Sequence, residues 1–203
     1  PSIPPPLPHP VPVPRWPAFL WLTGLAALLA RAAWIHAGFA WLRLRHFLPA
    51  AETLRERVQE LAVRLGLRRR VRVLASERLR APAAFGWVRP GVGVPGDFTA
   101  RFAPAQQDVM LAHELAHLAA RDPLWQLLAD LVTAALWWHP LAWVARRQHR
   151  LAGELAADDA SQALPDGPVV LAECLLTLGH EAADCPRAAL GMAGFRSQLG
   201  RRV

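Results

Sequence analysis

The pattern of apolar and polar positions divides the chain into a Pro-rich start, one long apolar segment, a mixed middle and a helical second half. Residues 1–17 contain nine prolines, which predict an extended linker. Residues 18–42 are apolar on every face apart from Arg31 and His36, and a helix of this length would span about 38 Å. We therefore expect a transmembrane helix at 18–42, with a helix buried in a soluble core as the alternative.

The charge distribution predicts which side of the membrane the rest occupies. Residues 43–80 contain 11 Arg and 4 acidic residues, a net charge of +7, which is the whole formal excess of the chain. Basic residues directly after an apolar helix are typical of its cytoplasmic end. We expect Arg43 onward to face the cytoplasm, and Arg31 to pair with a further membrane helix. Since this basic run lacks interleaved aromatic residues, direct nucleic-acid binding is not expected.

The ends and the cysteines carry less information. The chain begins at Pro1, so we expect it to be part of a longer protein. Cys174 and Cys185 are the only cysteines. Two cysteines indicate no disulfide framework, and we expect both as free thiols.

The middle of the chain predicts one helix followed by a small sheet. An amphipathic helix is expected at 50–66, ended by Gly66. The segment RRRVRVLAS alternates Arg and Val and predicts a strand with one solvated face. The segment AAFGWVRPGVGVP has two apolar runs around a Pro-Gly turn, which predicts a hairpin at the edge of the sheet.

From Ala105 onward the pattern is helical. Asp122 is predicted as an N-cap followed by proline in the first turn, and Pro140 is predicted to break the next helix. Two further helices are expected, at 141–163 and 169–183. The fold class is therefore α+β, mostly α, with a small β-sheet and an N-terminal transmembrane helix.

The segment LAHELAHL, residues 111–118, carries the candidate chemistry. Residues four apart project from one face of a helix, so His113 and His117 can both ligate one cation. Glu114 faces the open side, where it can act as a general base on water. Two His that bracket a Glu in this way are typical of zinc peptidases, whereas isolated polar residues in so apolar a helix would cost free energy. We therefore predict a zinc ion as cofactor.

A third ligand is expected downstream. The apolar segment 123–144 can cross a bilayer, but a single crossing would separate His117 from every later ligand. We therefore predict a helical hairpin at 123–163, folded back at His139-Pro140, with arms of about 22–24 Å. This hairpin brings Glu154 level with His117. His149 remains a weaker candidate, His139 lies at the tip, and His180 lies on another helix.

Other groups near Glu154 have expected supporting roles. Asp158, one turn later on the same face, is predicted to accept the distal N–H of a ligating histidine. Arg146, Arg150 and His149 are open candidates for stabilising an oxyanion. The tryptophan-rich hairpin is expected to dip into the bilayer or to pack on membrane helices, with a buried soluble hairpin as the alternative, since it contains Asp130.

The segments HELAHLAARDP, WWHP and GELAADDA together resemble the BlaR/MecR-type membrane-embedded zinc peptidases. The strand segment before the zinc helix and ALGMAG after it are also similar, so the resemblance covers about 15–203. It implies a zincin-like (gluzincin) domain at 43–203, with zinc on His113, His117 and Glu154 and with Glu114 as general acid/base. One departure is His139, where many relatives have Asn before the proline.

The resemblance further implies a cytoplasm-facing endopeptidase that cleaves a protein substrate, often a transcriptional repressor, in signal transduction. No sensor domain is recognised in this sequence, so drug sensing is not implied. HtpX/Ste24-type membrane peptidases, which act in quality control, have a similar pairing of motifs and are the alternative family. A non-catalytic, zinc-binding membrane transducer is the alternative function, and the intact Glu114 disfavours it.

Overall fold

Residues 14–184 of the computed structural model, the part described here, form seven helices around a four-stranded sheet. The helices are α1 (Trp16–His46), α2 (Glu52–Arg64), α3 (Phe98–Arg101), α4 (Pro104–Ala119), α5 (Asp122–Ala135), α6 (Pro140–Gln162) and α7 (Gly167–Asp184). The strands are β1 (Leu48–Pro49), β2 (Arg72–Ser76), β3 (Ala83–Phe85) and β4 (Gly91–Pro95). The mostly helical α+β class predicted from the sequence is confirmed.

The sheet has the strand order β1-β2-β4-β3. β2 and β4 are parallel, with Val73 opposite Val92, whereas β3 and β4 form the predicted antiparallel hairpin, with Ala84 opposite Val92. All five residues of β4 are buried. The expectation that the whole segment 84–95 forms an edge is therefore wrong for β4, which has a paired strand on each side. Of the two hairpin strands, β3 is the one at an edge, and β1 forms the opposite edge of the sheet within the described chain.

The core lies between the sheet, α2 and α4. Its fully enclosed side chains include Val58 of α2, Val92 of β4 and Leu111 and Leu115 of α4. The predicted end of α2 at Gly66 is confirmed, since Gly66 has a φ of 80°. The N–H groups of Gly66 and Leu67 close this helix on the carbonyls of Val63 and Ala62, at 3.0 and 2.8 Å. This pair of bonds favours glycine because it needs a left-handed residue.

Helix α1 contains the predicted span and extends beyond it at both ends. It is the one helix between residues 14 and 184 that is long and apolar enough to cross a membrane, and none of its residues is buried. Trp21 donates its indole N–H to the carbonyl of Ala135 at 2.9 Å, and Trp137 donates to the carbonyl of Trp21 at 3.3 Å. These bonds join α1 to the loop between α5 and α6.

The helical hairpin predicted at 123–163 is formed by α5 and α6, which pack against each other. Its break occurs at the predicted place, because Pro140 occupies the first turn of α6. His139 caps this helix by accepting the N–H of Leu141 on its Nδ1 at 3.3 Å. An asparagine would cap the same position through its side-chain oxygen, which gives the departure at His139 a physical explanation.

The predicted N-cap of α5 is wrong. Arg121 occupies the cap position in a left-handed conformation, with a φ of 58° and a ψ of 32°, and Asp122 is the first helical residue. The Asp122 side chain is buried and does not cap the helix. Its carboxylate points instead to a histidine of α4, as described below.

The core packing leads to a stability prediction on α2. Val58→Ala should lower the free energy of unfolding by about 2–3 kcal/mol, because Val58 is 0% exposed and its loss leaves a cavity. The matched control is Val63→Ala on the same helix, where the Val63 side chain is 63% exposed. Both substitutions raise helix propensity equally, so the difference between the two variants reports the loss of buried packing. Thermal unfolding in detergent should show a midpoint lower by about 5–10 °C for Val58→Ala alone. Equal midpoints would contradict the assigned core.

Candidate metal centre

The LAHELAHL segment forms the second half of α4, and its two histidines lie on the side of the helix that faces α6. Leu111, Leu115 and Leu118 occupy the opposite side and pack in the core. The rings of His113 and His117 are 4.9 Å apart between centroids, with their planes at 84°. Because Leu and His alternate on a 3.6-residue period, core packing itself orients both imidazoles toward α6.

Glu154 of α6 lies beside these imidazoles. Its Oε2 is 3.9 Å from Nε2 of His113, and donor atoms of His113, His117 and Glu154 all lie within 4.8 Å of one another. Ligand atoms around a tetrahedral zinc ion are separated by about 3.4 Å, given bonds of about 2.1 Å. Small side-chain rotations would therefore bring these three donors to one ion.

The other histidines considered from the sequence do not join this group. Between residues 14 and 184, His113, His117 and Glu154 are the one cluster of three or more donors arranged for a metal. His139 caps α6 at the far end of the hairpin, and His149 lies outside the cluster. The backbone of His180 belongs to α7, and its side chain is not among the described ones.

Two aspartates contact the Nδ1 atoms of the two histidines. Oδ1 of Asp158 lies 3.2 Å from Nδ1 of His113, and Oδ2 of Asp122 lies 2.6 Å from Nδ1 of His117. Both aspartates are buried. A carboxylate at Nδ1 favours the tautomer with its proton on that nitrogen, which leaves Nε2 with a free lone pair for a cation. The donor set therefore fits a zinc ion.

Asp122 is the residue of the candidate site that sequence reasoning missed. An aspartate before a proline at a helix start predicts a cap, and this local pattern concealed its tertiary contact. The available signal was its position five residues after His117, just past the end of α4. Gly153 permits the approach, because a Cβ at that position would lie 2.9 Å from Oδ2 of Asp122.

Glu114 is linked to the edge strand of the sheet. Its Oε2 accepts the backbone N–H of Ala84 in β3 at 2.5 Å. Burial raises the pKa of the Glu114 carboxyl above its ordinary value, against the lowering effects of His113, His117 and the Ala84 bond. A carboxyl whose pKa lies nearer to neutrality exchanges a proton with water more readily at physiological pH.

The pKa of His113 is also raised. Burial by itself lowers it, but the contact of Nδ1 with the carboxylate of Asp158, which can accept its proton in a hydrogen bond, and the negative charges of Glu114, Asp158 and Glu154 outweigh burial. The His113 imidazole therefore lies in a strongly negative environment. A divalent cation at Nε2 would be stabilised by the same charges.

The three candidates for stabilising an oxyanion differ in their surroundings. The guanidinium of Arg146 forms an ion pair with Asp130 of α5, so part of its charge is already neutralised. This pair also compensates the acidic residue within the apolar hairpin. Arg150 lies four residues before Glu154, and its guanidinium is attracted by the Glu154 carboxylate. His149 directly precedes Arg150 in the sequence and is partly buried.

The surface around the hairpin is apolar. Large exposed side chains on α1, on α5, on α6 and in the loop between α5 and α6 include Trp34, Trp125, Trp138, Leu141 and Val144. So many exposed large apolar side chains are typical of a protein or membrane interface. Together with α1, it favours membrane association. Arg31, for which a partner on another helix is expected, forms no recorded ion pair within residues 14–184, so that expectation stays a prediction.

Of the two predicted free thiols, Cys174 is buried and free. Burial, with a smaller contribution from Glu173, raises the pKa of this thiol to about 11. The thiol is therefore protonated and unreactive at neutral pH. Cys185 lies outside the described residues.

The chain is similar to a known protein family over most of its length. The family model described as "BlaR1 peptidase M56" matches residues 5–203. The regulatory protein BlaR1 of Bacillus licheniformis is 28% identical over 85 residues, which are 42% of this chain and 14% of that relative. The chain thus corresponds to a small part of the length of the curated relative it matches. Because the family model covers nearly every residue, the chain belongs to the BlaR1 peptidase M56 family.

Proposed function

We propose that this chain is the catalytic part of a membrane-bound zinc endopeptidase with a gluzincin site. In this assignment His113, His117 and Glu154 are the zinc ligands, Glu114 is the general acid/base, and Asp158 and Asp122 orient the two imidazoles. The substrate is a protein. Family membership supports the peptidase activity, and the three converging donors support the metal.

The observation that carries the proposal is the pairing of each histidine with an aspartate. Buried aspartates lie at Nδ1 of both His113 and His117, which leaves Nε2 of each ring free to bind a cation beside Glu154. A helix with two histidines needs no such support for folding. Carboxylates that fix the tautomer and ring orientation are typical of ligating histidines.

The chemistry divides between the ion and the chain. Zinc, when bound, supplies a Lewis acid that polarises the scissile carbonyl and lowers the pKa of a coordinated water to about 7. The Glu114 carboxylate takes a proton from the attacking water as the new C–O bond forms. It then returns that proton to the amide nitrogen as the C–N bond breaks, so no net proton is lost.

The unpaired edge of β3 is the proposed docking place for the peptide. The N–H of Ala84 points away from β4 toward Glu114. An extended peptide that adds to this edge would compete with Glu114 for that N–H, and its backbone hydrogen bonds would make little demand on its sequence. The proposed substrate edge is limited to Ala83–Phe85, because β4 is paired on both sides.

The proposed cellular setting follows from α1 and its flank. Arg43, Arg45 and His46 occupy the last turn of α1, which supports a cytoplasmic site at the bacterial inner membrane. In this arrangement the chain has the domain limits expected from the sequence: a linker at 1–17, a membrane span at 18–42 and a peptidase domain at 43–203. The relative's name as a regulatory protein supports cleavage of a regulator, such as a repressor, in signal transduction.

The decisive experiment compares Glu114→Gln with the wild-type chain in detergent. Glu114→Gln should lower the rate of casein cleavage at least about 100-fold, because the proton carrier is lost. Zinc bound per chain should stay the same, since the ligands are intact. Glu60→Gln, an exposed glutamate on α2, is the matched control and should cleave normally.

Three outcomes separate the candidate functions. Equal cleavage by Glu114→Gln and the wild type would contradict the assigned general base. Zinc binding without cleavage by either form would favour the non-catalytic transducer. Removal of zinc with a chelator should abolish cleavage in the wild type, and added zinc should restore it.

The orienting aspartates have a test that does not depend on activity. Asp122→Ala should weaken zinc affinity about 10–100-fold, because the His117 ring loses the bond that fixes its tautomer. Asp159→Ala provides the control, since Asp159 is exposed beside the buried Asp158. Affinity is measured by competition with a chelator of known strength. Equal affinities for the two variants would rule out a supporting role for Asp122.

The orientation is tested by cysteine labelling in spheroplasts. In a background with Cys174 and Cys185 changed to serine, Ser2→Cys should react with an impermeant maleimide in intact spheroplasts. Arg78→Cys, in the exposed turn after β2, should react only after lysis. The reverse pattern would place the proposed site outside the cytoplasm.

A further inference from the structure

A basic pocket lies next to the metal centre and takes no part in the chemistry described above. Its volume is about 290 Å³, and it lies between the end of α2, the β3–β4 loop and the corner that joins α4 to α5. Three arginines line it, namely Arg68, Arg69 and Arg121, and no acidic residue does. The pocket is therefore a concave surface of one charge.

These arginines differ from others in the fold. Arg55, Arg57 and Arg146 each form an ion pair with a carboxylate. No ion pair is recorded for Arg68, Arg69 or Arg121 within residues 14–184. Three uncompensated cations around a concave surface concentrate positive potential there and attract an anionic group.

The left-handed backbone conformation of Arg121 points to a role for its side chain in binding. Arg121 has a φ of 58°, in a left-handed region that residues other than glycine, asparagine and aspartate enter rarely. Glycine would adopt this corner without strain. A strained position that nevertheless carries a guanidinium on the wall of a pocket suggests a binding role.

Several residues that line the pocket are close in sequence to residues of the candidate site. Leu118 follows the ligand His117, and Pro123 follows Asp122, which holds that ligand. Gly86 and Trp87 lie two and three residues after Ala84, whose N–H meets Glu114. Since two or three residues of chain span at most about 7–11 Å, this wall of the pocket lies within about 11 Å of Ala84.

We propose that this pocket binds an acidic side chain of the protein substrate, two or three residues N-terminal to the scissile bond. The inference rests on the proposed peptidase function. A peptide that pairs antiparallel with β3, the more stable arrangement per residue, places its N-terminal part beside Gly86 and Trp87. An aspartate or glutamate there meets three guanidinium groups, which bind carboxylates through paired hydrogen bonds.

A membrane headgroup is the other anionic partner that a basic surface suggests. Two observations favour the peptide. The pocket is concave, whereas attraction to an anionic bilayer needs only basic residues near its surface. Its wall at Gly86 and Trp87 also follows directly after the edge strand whose Ala84 contacts the proposed catalytic glutamate.

The test uses a peptide series and the full chain in detergent with zinc bound. Each of the three positions before the scissile bond is occupied in turn by Asp, Asn or Lys, and kcat/KM is measured. Asp should exceed Asn by about five- to thirtyfold at the second or third position, in the range of charge-assisted hydrogen bonds. The preference should shrink at 0.5 M salt. No preference, or one only on the C-terminal side of the scissile bond, would overturn the assignment.

Variants connect the preference to the pocket. Arg121→Gly should abolish most of the preference for Asp while still cleaving the Asn peptide, and its thermal midpoint should be equal or higher because glycine suits the left-handed corner. Arg121→Glu should favour Lys over Asp at the same position. Arg147→Ala, an exposed arginine of α6 outside the pocket, should retain the wild-type preference. A preference unchanged in both Arg121 variants would overturn the proposal.

A measurement of peptide binding tests the pocket independently of the proposed peptidase activity. Fluorescence anisotropy of the Asp and Asn peptides is measured on Glu114→Gln, which does not need to turn over. Failure of the wild type to cleave any peptide would contradict the peptidase. Equal binding of Asp and Asn peptides, or Arg121-dependent binding to phosphatidylglycerol vesicles without any preference for the Asp peptide, would overturn the pocket assignment.

Discussion

The return of α6 toward α4 is the constraint on which the site depends. His113 and His117 lie on one helix, but no spacing within that helix supplies a third donor on the same side. The hairpin of α5 and α6 brings Glu154 to 3.9 Å from His113. The bend at Pro140, its cap at His139 and the Arg146–Asp130 ion pair hold the two arms together. The hairpin is therefore a structural requirement of the site, whatever its relation to the bilayer.

The second link in the site joins its chemistry to the sheet. Glu114 accepts the N–H of Ala84, which is the group that an edge strand offers to a further strand. The carboxylate and the edge are thereby fixed relative to each other by a single bond. Because β4 beside it is fully buried, the position of β3 is set by the core, and so is the distance between a docked peptide and Glu114.

The sequence predicted the parts of the site that have a helical period or a countable length. The spacing of His113 and His117 follows from one helix, and Glu154 followed from the equal arms about Pro140. Asp122 could not be found in this way, because its Asp-Pro pattern is satisfied by a cap, and its contact with His117 depends on how α4 meets α5. The interior position of β4 was missed for a similar reason. Gly and Pro are common at edges, but strand order is a long-range property that local composition does not encode.

The charges around the imidazoles give the strongest physical argument for a cation. Glu114, Glu154, Asp122 and Asp158 place four carboxyl groups about two histidines, and burial raises the cost of each negative charge. The pKa values of His113 and Glu114 are both raised, so protons are retained where negative charge accumulates. A divalent cation would replace those protons, since metal binding to histidine and carboxylate releases them. Four carboxyl groups around two imidazoles therefore provide an environment that favours a bound cation, as the proposed zinc site requires.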